Sequence, residues 1–181
     1  GAVRAALDAF NRHTPKALSH FTDLVIKNGK GSWVWTMDGS KYLDMTSGIG
    51  VTSTGHCHPR VVEAVRAQAG EIVHAQQNVF GAHVPVMQLI DRLLEITPSY
   101  LNRYFFCNSG AEAVDNAIKV ARVATGRQNI IAFEGGYHGR TIGSMAITTS
   151  KNMYRQGFAP LMPGAFTAPY PYCLHCKVKE L

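Results

Sequence analysis

The residues best suited to chemistry lie at two turns, and the first turn covers residues 107–113. It stands between an apolar run that predicts a strand and an alanine-rich stretch that predicts a helix. The first N–H groups of a helix have no partner within it and carry its positive dipole end, so they favour an anion such as phosphate. Ser109 adds a hydroxyl, and Gly110 lets a ligand approach the backbone closely. The same residues also fit an N-cap serine followed by a tight turn.

The second turn, residues 134–141, follows the next predicted strand and contains three glycines. Tyr137, His138 and Arg140 offer an aromatic ring, an imidazole and a guanidinium, which together suit an anion that carries a ring. Ligands of open α/β sheets bind at the carboxyl ends of the strands, so we expect this turn to open at the same sheet edge as the first. An ordinary glycine-rich turn with exposed polar groups is the alternative.

A metal site is a third candidate, and the spacing of its residues argues against it. Cys57 lies between two histidines, and residues 173–176 contain one Cys-x-x-Cys pair. A structural zinc site needs about four ligands, whereas adjacent residues chelate one ion poorly. His58 before Pro59 is better explained as the entry to a helix. We therefore predict no metal, and the absence of a helical pattern after residue 176 disfavours a redox pair.

Strand and helix patterns place both turns in an α/β arrangement. Two β-prone runs flank Asp38-Gly39, which predicts a hairpin with a type I′ turn. A strand, a helix and a second strand over residues 104–133 predict a βαβ unit and therefore a parallel sheet. We expect helices at residues 59–73, 85–96 and 111–125, a weaker one near residues 3–10, strands at 104–107 and 129–133, and turns or irregular segments at 27–31, 46–54 and 160–171.

The composition is that of a globular protein and excludes several classes. The 181 residues allow one domain or part of a larger one, and 46% hydrophobic against 17% charged residues excludes disordered and fibrous chains. No apolar run reaches the roughly 18 residues of a transmembrane helix, and no secretory leader opens the sequence, so we predict neither membrane insertion nor secretion. The four cysteines are not spaced as a disulfide framework, which favours a reducing compartment. The net charge of +6 permits an anionic partner, but the basic residues are scattered, so nucleic-acid binding is not predicted.

Six short motifs follow one another along about residues 33–150. They are Trp35-x-x-Asp38-Gly39-x-x-Tyr42-x-Asp44, Gly48-Ile49-Gly50, Gly55-His56-x-His58-Pro59, Asn108-Ser109-Gly110-Ala111-Glu112-Ala113, Ala121-Arg122-x-x-Thr125-Gly126-Arg127 and Tyr137-His138-Gly139-Arg140-Thr141. Each motif alone is weak, whereas the ordered set resembles the N-terminal part of a class III aminotransferase, a pyridoxal phosphate enzyme of fold type I. Within that family, residues 137–141 and Leu161-Met162-Pro163-Gly164 are similar to those of 4-aminobutyrate aminotransferases and their close relatives.

The resemblance implies an α/β fold of type I with a mostly parallel sheet flanked by helices. It implies an incomplete cofactor-binding large domain over residues 58–181, preceded by a small hairpin-containing segment over residues 1–57. The cofactor would be pyridoxal 5′-phosphate, and the resemblance implies roles for eight residues. The phosphate would be held by Ser109, Gly110 and Ala111, the ring by Tyr137 and His138, a substrate carboxylate by Arg140, and the substrate pocket would be lined by Ile49 and Asn78.

The implied reaction is transfer of an amino group from an ω-amino acid, with 4-aminobutyrate as the leading donor, to a 2-oxo acid. The implied partners are these substrates and a second copy of the chain in a homodimer, in the cytoplasm or the mitochondrial matrix. Ornithine, acetylornithine, alanine and diamine enzymes share the same motifs, so the sequence leaves the donor open.

The departures from the family pattern concern the catalytic centre. Family members are more than twice this length, and neither their Schiff-base lysine nor the aspartate that pairs with the pyridinium nitrogen matches a residue of this sequence. We therefore expect this chain to supply the phosphate-, ring- and carboxylate-binding half of a site, and to be inactive by itself. The alternative is a truncated, non-catalytic remnant that dimerises or binds a ligand.

Overall fold

Residues 1–18 and 20–175 are described by the computed structural model. The chain divides into two units, Gly1–Val86 and Met87–Leu181. This boundary lies later in the chain than the one expected between residues 57 and 58. The assignment of residues 1–57 and 58–181 to the two domains of a complete enzyme stays a prediction.

The first unit contains an N-terminal helix and a three-stranded antiparallel sheet in sequence order. These elements are α1 (Ala2–His13), β1 (Ile26–Lys30), β2 (Trp33–Thr36) and β3 (Lys41–Leu43). The predicted hairpin of β2 and β3 is confirmed, but its type I′ turn is wrong. The Thr36 N–H donates to the Ser40 carbonyl at 2.9 Å, and Gly39, not Asp38, takes a positive φ of 88°. The loop is therefore one residue longer than a type I′ turn, and the Asp38 carboxylate stabilises it by accepting from the Thr36 hydroxyl and the Ser40 N–H.

Strand β1 occupies residues 27–30 of the turn that we predicted over residues 27–31, and only Gly31 lies in the two-residue connection to β2, with a φ of 59°. It pairs antiparallel with β2, with Gly29 opposite Val34. A Cβ on Gly29 would lie 2.8 Å from Cγ of His56, so this glycine admits a close approach of the imidazole ring and does not mark a turn. The turn prediction took Gly29 as a sign of a turn in the backbone, whereas a glycine is needed there because the His56 ring packs against it.

The end of this sheet is tied to the following loop through His56. The two backbones exchange hydrogen bonds, Gly31 N–H to His56 O at 2.9 Å and His56 N–H to Gly31 O at 2.8 Å. The His56 imidazole Nε2 lies 2.7 Å from Oδ2 of Asp44. Oδ1 of Asp44 accepts from the Thr46 hydroxyl at 2.7 Å. These bonds, the Thr46 hydroxyl first and His56 second, hold the pKa of Asp44 well below its usual range.

The rest of the first unit is helical and largely as predicted. It contains a distorted helical turn, α2 (Ser47–Gly50), and the helices α3 (Pro59–Glu71) and α4 (Gln77–Phe80); α5 (Val84–Ile96) begins before the boundary and ends in the second unit. Within α2, Gly48 and Ile49 adopt left-handed φ values of 61° and 65°, in keeping with the loop expected over residues 46–54. None of the helices in the described part of the chain is long and apolar enough to cross a membrane.

The second unit joins helices to a parallel pair of strands. Its elements are α6 (Gly110–Thr125), β4 (Ile130–Phe133), α7 (Ile142–Ala146) and β5 (Ala165–Ala168), with 3-10 turns at Asn152–Tyr154 and Cys173–His175. Strand β4 pairs with β5 in parallel, from Ile130 opposite Ala165 to Phe133 opposite Ala168. Ile118, Ala132 and Ile147 form the buried centre between α6, β4 and the end of α7. The sheet thus carries the carboxyl end of β4 directly into residues 134–141.

Two strand predictions for this unit are wrong in detail. The tail over residues 160–171 contains β5, because its prolines flank the four residues of the strand without interrupting them. Residues 104–107 form no strand with any residue that the structure describes. A strand needs a neighbour for its backbone groups, and no described strand pairs with residues 104–107. The predicted parallel arrangement is nevertheless present between β4 and β5.

Candidate active site

The first predicted turn forms the N-terminus of α6, a helix of 16 residues. Ser109 is its N-cap, and the Ser109 hydroxyl oxygen accepts from the Glu112 N–H at 3.2 Å. The Glu112 carboxylate in turn accepts from the Asn108 N–H at 2.7 Å. The N–H groups of Gly110 and Ala111 belong to the first turn, where a helix offers no internal acceptor. The capping role and the anion-binding role are therefore compatible, because they use different groups.

The second predicted turn packs directly against this helix terminus. Gly139 is buried and has a φ of 130°, a conformation that side chains rarely adopt. A Cβ on Gly139 would lie 2.6 Å from Cβ of Ala111 and 2.6 Å from the Ser144 hydroxyl oxygen. The absence of a side chain at this position is what allows the loop after β4 to reach α6.

The contact creates a cleft of about 540 Å³. It is lined by Ser109, Gly110, Ala111, Val114, Tyr137, His138, Gly139, Arg140 and Thr141. Six of the eight predicted site residues therefore share one cleft, in which the helix terminus faces an aromatic ring and a cation. The remaining two, Ile49 and Asn78, belong to the first unit, and their contacts with substrate stay a prediction.

Tyr137 and Arg140 are both available to a ligand. The Tyr137 ring is 51% exposed and packs edge-on against Tyr154, with 5.3 Å between ring centroids. Arg140 is exposed and makes no ion pair with the described residues. His138 is half-buried and borders a second, apolar cleft next to Phe133 and Tyr170. The site thus presents a ring face and an unneutralised guanidinium on the same loop.

The loop that carries these side chains is held from behind by residues that the sequence analysis missed. Ser144 and Thr148 are fully buried. The Thr148 hydroxyl bonds the backbone of His138 and Gly139, and the Ser144 hydroxyl oxygen accepts from the Thr141 N–H. The helix α7 that carries Ser144 was also missed. The available signal was a pair of hydroxyl residues spaced by four, Ser144 and Thr148, in the largely apolar stretch 142–148, since buried hydroxyls need partners.

The structure shows no cluster of metal-ligating side chains in the described part of the chain. Residues 1–18 and 20–175 contain no group of three or more His, Cys, Asp or Glu side chains placed to hold an ion. Cys57, Cys107 and Cys173 carry free thiols. Cys176, the last member of the candidate set, lies outside the described residues.

The family of the chain follows from its sequence together with this architecture. Residues 14–181 match the family model described as aminotransferase class-III. The chain belongs to the class III aminotransferases. The resemblance drawn from the six motifs is thereby confirmed.

Individual relatives of this class III aminotransferase agree in sequence and in fold. The chain is 44% identical to an acetylornithine aminotransferase of Methanopyrus kandleri, over 93% of this chain and 41% of that protein. It is 39% identical to a probable 4-aminobutyrate aminotransferase of Bacillus subtilis, over 87% of this chain and 36% of that protein. It resembles the crystal structure of an adenosylmethionine-8-amino-7-oxononanoate aminotransferase from Methanocaldococcus jannaschii, with a TM-score of 0.83, 30% identity, and coverage of 96% of this chain and 42% of that chain.

These matches confirm the fold type I class, and they show how much of a complete relative the chain covers. The chain spans about two fifths of the length of the curated relatives that it matches, at 41% and 36% of the two named above. The helices, the small antiparallel sheet and the parallel pair β4–β5 are therefore part of a larger α/β fold of this family.

Class III aminotransferases use pyridoxal 5′-phosphate, and the residues of the cleft fit this group. A helix N-terminus with a hydroxyl beside it suits the phosphate, and an exposed aromatic face suits the pyridine ring. A Cβ on Gly110, the first residue of α6, would meet no atom within 4 Å, so the helix terminus is open on the cleft side. The second unit of this class III aminotransferase thus carries groups that suit the phosphate and the ring of the cofactor.

Proposed function

We propose that the whole protein transfers the amino group of an ω-amino acid to a 2-oxo acid, with the cleft of the second unit holding pyridoxal 5′-phosphate. The observation that carries this proposal is the shared cleft of about 540 Å³, in which the α6 terminus meets Tyr137 and Arg140. Bound pyridoxal phosphate supplies the electron sink for bond changes at the amino-bearing carbon. The residues of this chain bind and orient the reactants around it.

The phosphate contacts would come from the first turn of α6. The N–H groups of Gly110 and Ala111 donate to phosphate oxygens, and the helix dipole favours the negative charge. The Ser109 hydroxyl already accepts one bond from Glu112, and its own proton is left to donate to the phosphate. Each of these donors is fixed by the helix before the ligand arrives, so little ordering entropy is lost on binding.

The ring and carboxylate contacts would come from the loop after β4. Tyr137 stacks on the pyridine ring, and its edge contact with Tyr154 fixes the ring plane. His138 lies beside the ring. Arg140 binds the substrate carboxylate, since a guanidinium offers two parallel N–H donors to such a group.

The identity of the amino donor is a second, more specific proposal. The named relatives include acetylornithine and 4-aminobutyrate aminotransferases, and both donor names denote carboxylates whose reacting amino group lies at the far end of the molecule. A single arginine at one side of the cleft suits such donors. We propose 4-aminobutyrate as the first donor to test, because residues 137–141 and 161–164 are similar to those of enzymes that use it.

The remainder of the site would come from outside the cleft described here. We propose that the active protein is a homodimer, that Ile49 and Asn78 line its substrate pocket, and that a polypeptide of only these 181 residues does not transaminate. The last point is supported by the absence of any lysine in a motif that matches the Schiff-base lysine of the family.

The experiment uses the protein at its native length, loaded with pyridoxal 5′-phosphate. Formation of glutamate from 2-oxoglutarate is measured with 4-aminobutyrate, with N-acetylornithine and with L-alanine as donors. We expect one of the two ω-amino donors to exceed alanine by about tenfold or more in kcat/KM, the size of one good charged contact. Protein that binds pyridoxal phosphate and prefers alanine would contradict the donor class, and protein that does not bind the cofactor would contradict the whole proposal.

A further inference from the structure

Thr148 lies two residues beyond α7 and does not line the cleft. Its side chain is fully buried, with 0% exposure, behind the loop that carries Tyr137, His138 and Arg140. A buried hydroxyl is costly unless it is hydrogen-bonded, so its partners show what it does.

The Thr148 hydroxyl joins two backbone groups of adjacent cleft residues. Its oxygen accepts from the His138 N–H at 3.0 Å. Its proton faces two carbonyl acceptors, Ser144 O at 2.9 Å and Gly139 O at 3.1 Å. The hydroxyl therefore sits at the point where the loop turns from His138 into Gly139.

Gly139 is the point at which the geometry of the loop is most constrained. Its φ of 130° and its contact with Ala111 leave the peptide around it few other arrangements. Tyr137 and Arg140 flank this segment on either side, so a rotation of the 138–139 backbone would redirect both side chains relative to the α6 terminus.

We propose that Thr148 is a positioning residue of the cofactor site: its hydroxyl fixes the backbone of His138 and Gly139 and so aims Tyr137 and Arg140 at the α6 terminus. This inference rests on the proposed function of the cleft. It assigns no contact between Thr148 and the ligand, so the effect of Thr148 on binding passes through the loop.

A second set of bonds holds the start of the loop without this hydroxyl. The N–H groups of Thr149 and Ser150 donate to Gly136 O at 2.8 Å and 3.0 Å. The Thr149 hydroxyl donates to Phe133 O at 3.0 Å. Loss of the Thr148 hydroxyl should therefore loosen residues 138–139 and leave the turn at residue 136 in place.

The test compares Thr148→Val, which keeps the shape and removes the hydroxyl, with Thr148→Ser, which keeps the hydroxyl. Thr125→Val is the matched control, because the Thr125 hydroxyl also donates to a backbone carbonyl (Ala121 O, 2.7 Å) and accepts a backbone N–H (Arg127, 3.1 Å). Thr125 ends α6, about 24 Å of helix away from Ser109 at 1.5 Å per residue. Affinity for pyridoxal 5′-phosphate is measured by absorbance titration of the native-length protein, together with amide hydrogen exchange of residues 136–141.

We expect Thr148→Val to weaken pyridoxal phosphate binding about tenfold and to speed exchange at His138 to a similar extent, because a buried N–H loses its acceptor. For Thr148→Ser and Thr125→Val, the affinity for pyridoxal phosphate and the exchange rate at His138 should both stay within about threefold of wild type. A change of that size is smaller than the effect of losing one ordinary hydrogen bond. Unchanged binding by Thr148→Val, or equal weakening by Thr148→Ser, would overturn the inference, because the hydroxyl would then not be the cause.

Two further outcomes separate this inference from the proposed function. If Thr148→Val does not fold, exchange in the wild-type protein decides: slow exchange of the His138 amide supports the inference, and exchange as fast as in an open loop overturns it. If the wild-type protein binds no pyridoxal phosphate, the proposed function fails, and the inferred role in the cofactor site fails with it. The exchange difference between Thr148→Val and Thr148→Ser would then still show whether the hydroxyl holds the loop.

Discussion

At the scale of single residues, we propose that Arg140 selects donors that carry a carboxylate. It is exposed on the cleft, and no described carboxylate neutralises it. Arg140→Ala should lower kcat/KM for a carboxylate donor by about 100-fold, as for truncation of one partner of a charge pair, while Arg66→Ala on α3 should change it less than twofold. Initial rates of the native-length holoenzyme over a range of donor concentrations measure this. Equal kcat/KM in wild type and Arg140→Ala would remove the carboxylate role from this residue.

Gly139 is the residue that lets the loop and the helix meet. Gly139→Ala should lower the free energy of unfolding by about 1–3 kcal/mol or more, because the strained φ and the contacts with Ala111 and Ser144 act together. Gly157 also has a positive φ, of 85°, but open space around it, so Gly157→Ala isolates the cost of a positive-φ backbone. Chemical denaturation of both variants separates the cost of the backbone conformation from the cost of the contacts with Ala111 and Ser144. A Gly139→Ala protein no less stable than Gly157→Ala would show that the close approach is not required.

At the scale of elements, Asp44 makes the stability of the first unit depend on pH. Its pKa is held below the usual range chiefly by the Thr46 hydroxyl and next by His56, so its carboxylate favours the folded state. This contribution is fully present above the unfolded pKa of about 4 and declines as the pH falls from there towards the lower pKa of the folded state. Thermal unfolding from pH 6 to pH 3 should show a falling Tm, with a shallower fall in Asp44→Asn. Identical pH profiles of the two proteins would contradict this assignment.

The elements also show what the sequence could predict. Local signals were sufficient for α3, α5 and α6, because Pro59 starts one helix, Ser109 caps another, and Gly126 ends it with a φ of 68°. Glycine was a misleading signal for a turn at Gly29, because this position needs a glycine for packing against His56. Strand β5 was missed because its pairing with β4 is non-local. The two turns of the cleft were predicted to share a sheet edge, but residues 104–107 form no strand with any described residue. The turns meet instead through Gly139, a contact that the sequence pattern does not encode.

At the scale of the whole molecule, large apolar side chains remain uncovered. Phe105 is 76% exposed, Ile131 on β4 is 69% exposed, and Phe166 on β5 is 56% exposed. Monomeric proteins rarely leave extended apolar surfaces open to water. A polypeptide of only these 181 residues should therefore self-associate, and light scattering coupled to size exclusion should give a mass well above 19.8 kDa. A monodisperse species at 19.8 kDa with a cooperative thermal transition would contradict this expectation.

We propose that one cleft, built by the α6 terminus and residues 137–141, holds pyridoxal 5′-phosphate. The most direct measurement is a crystal structure of the native-length protein grown with this cofactor. We expect phosphate oxygens within hydrogen-bonding distance, about 2.7–3.2 Å, of the backbone nitrogens of Gly110 and Ala111, and the pyridine ring against Tyr137. A cofactor bound elsewhere, or a phosphate away from the α6 terminus, would contradict it.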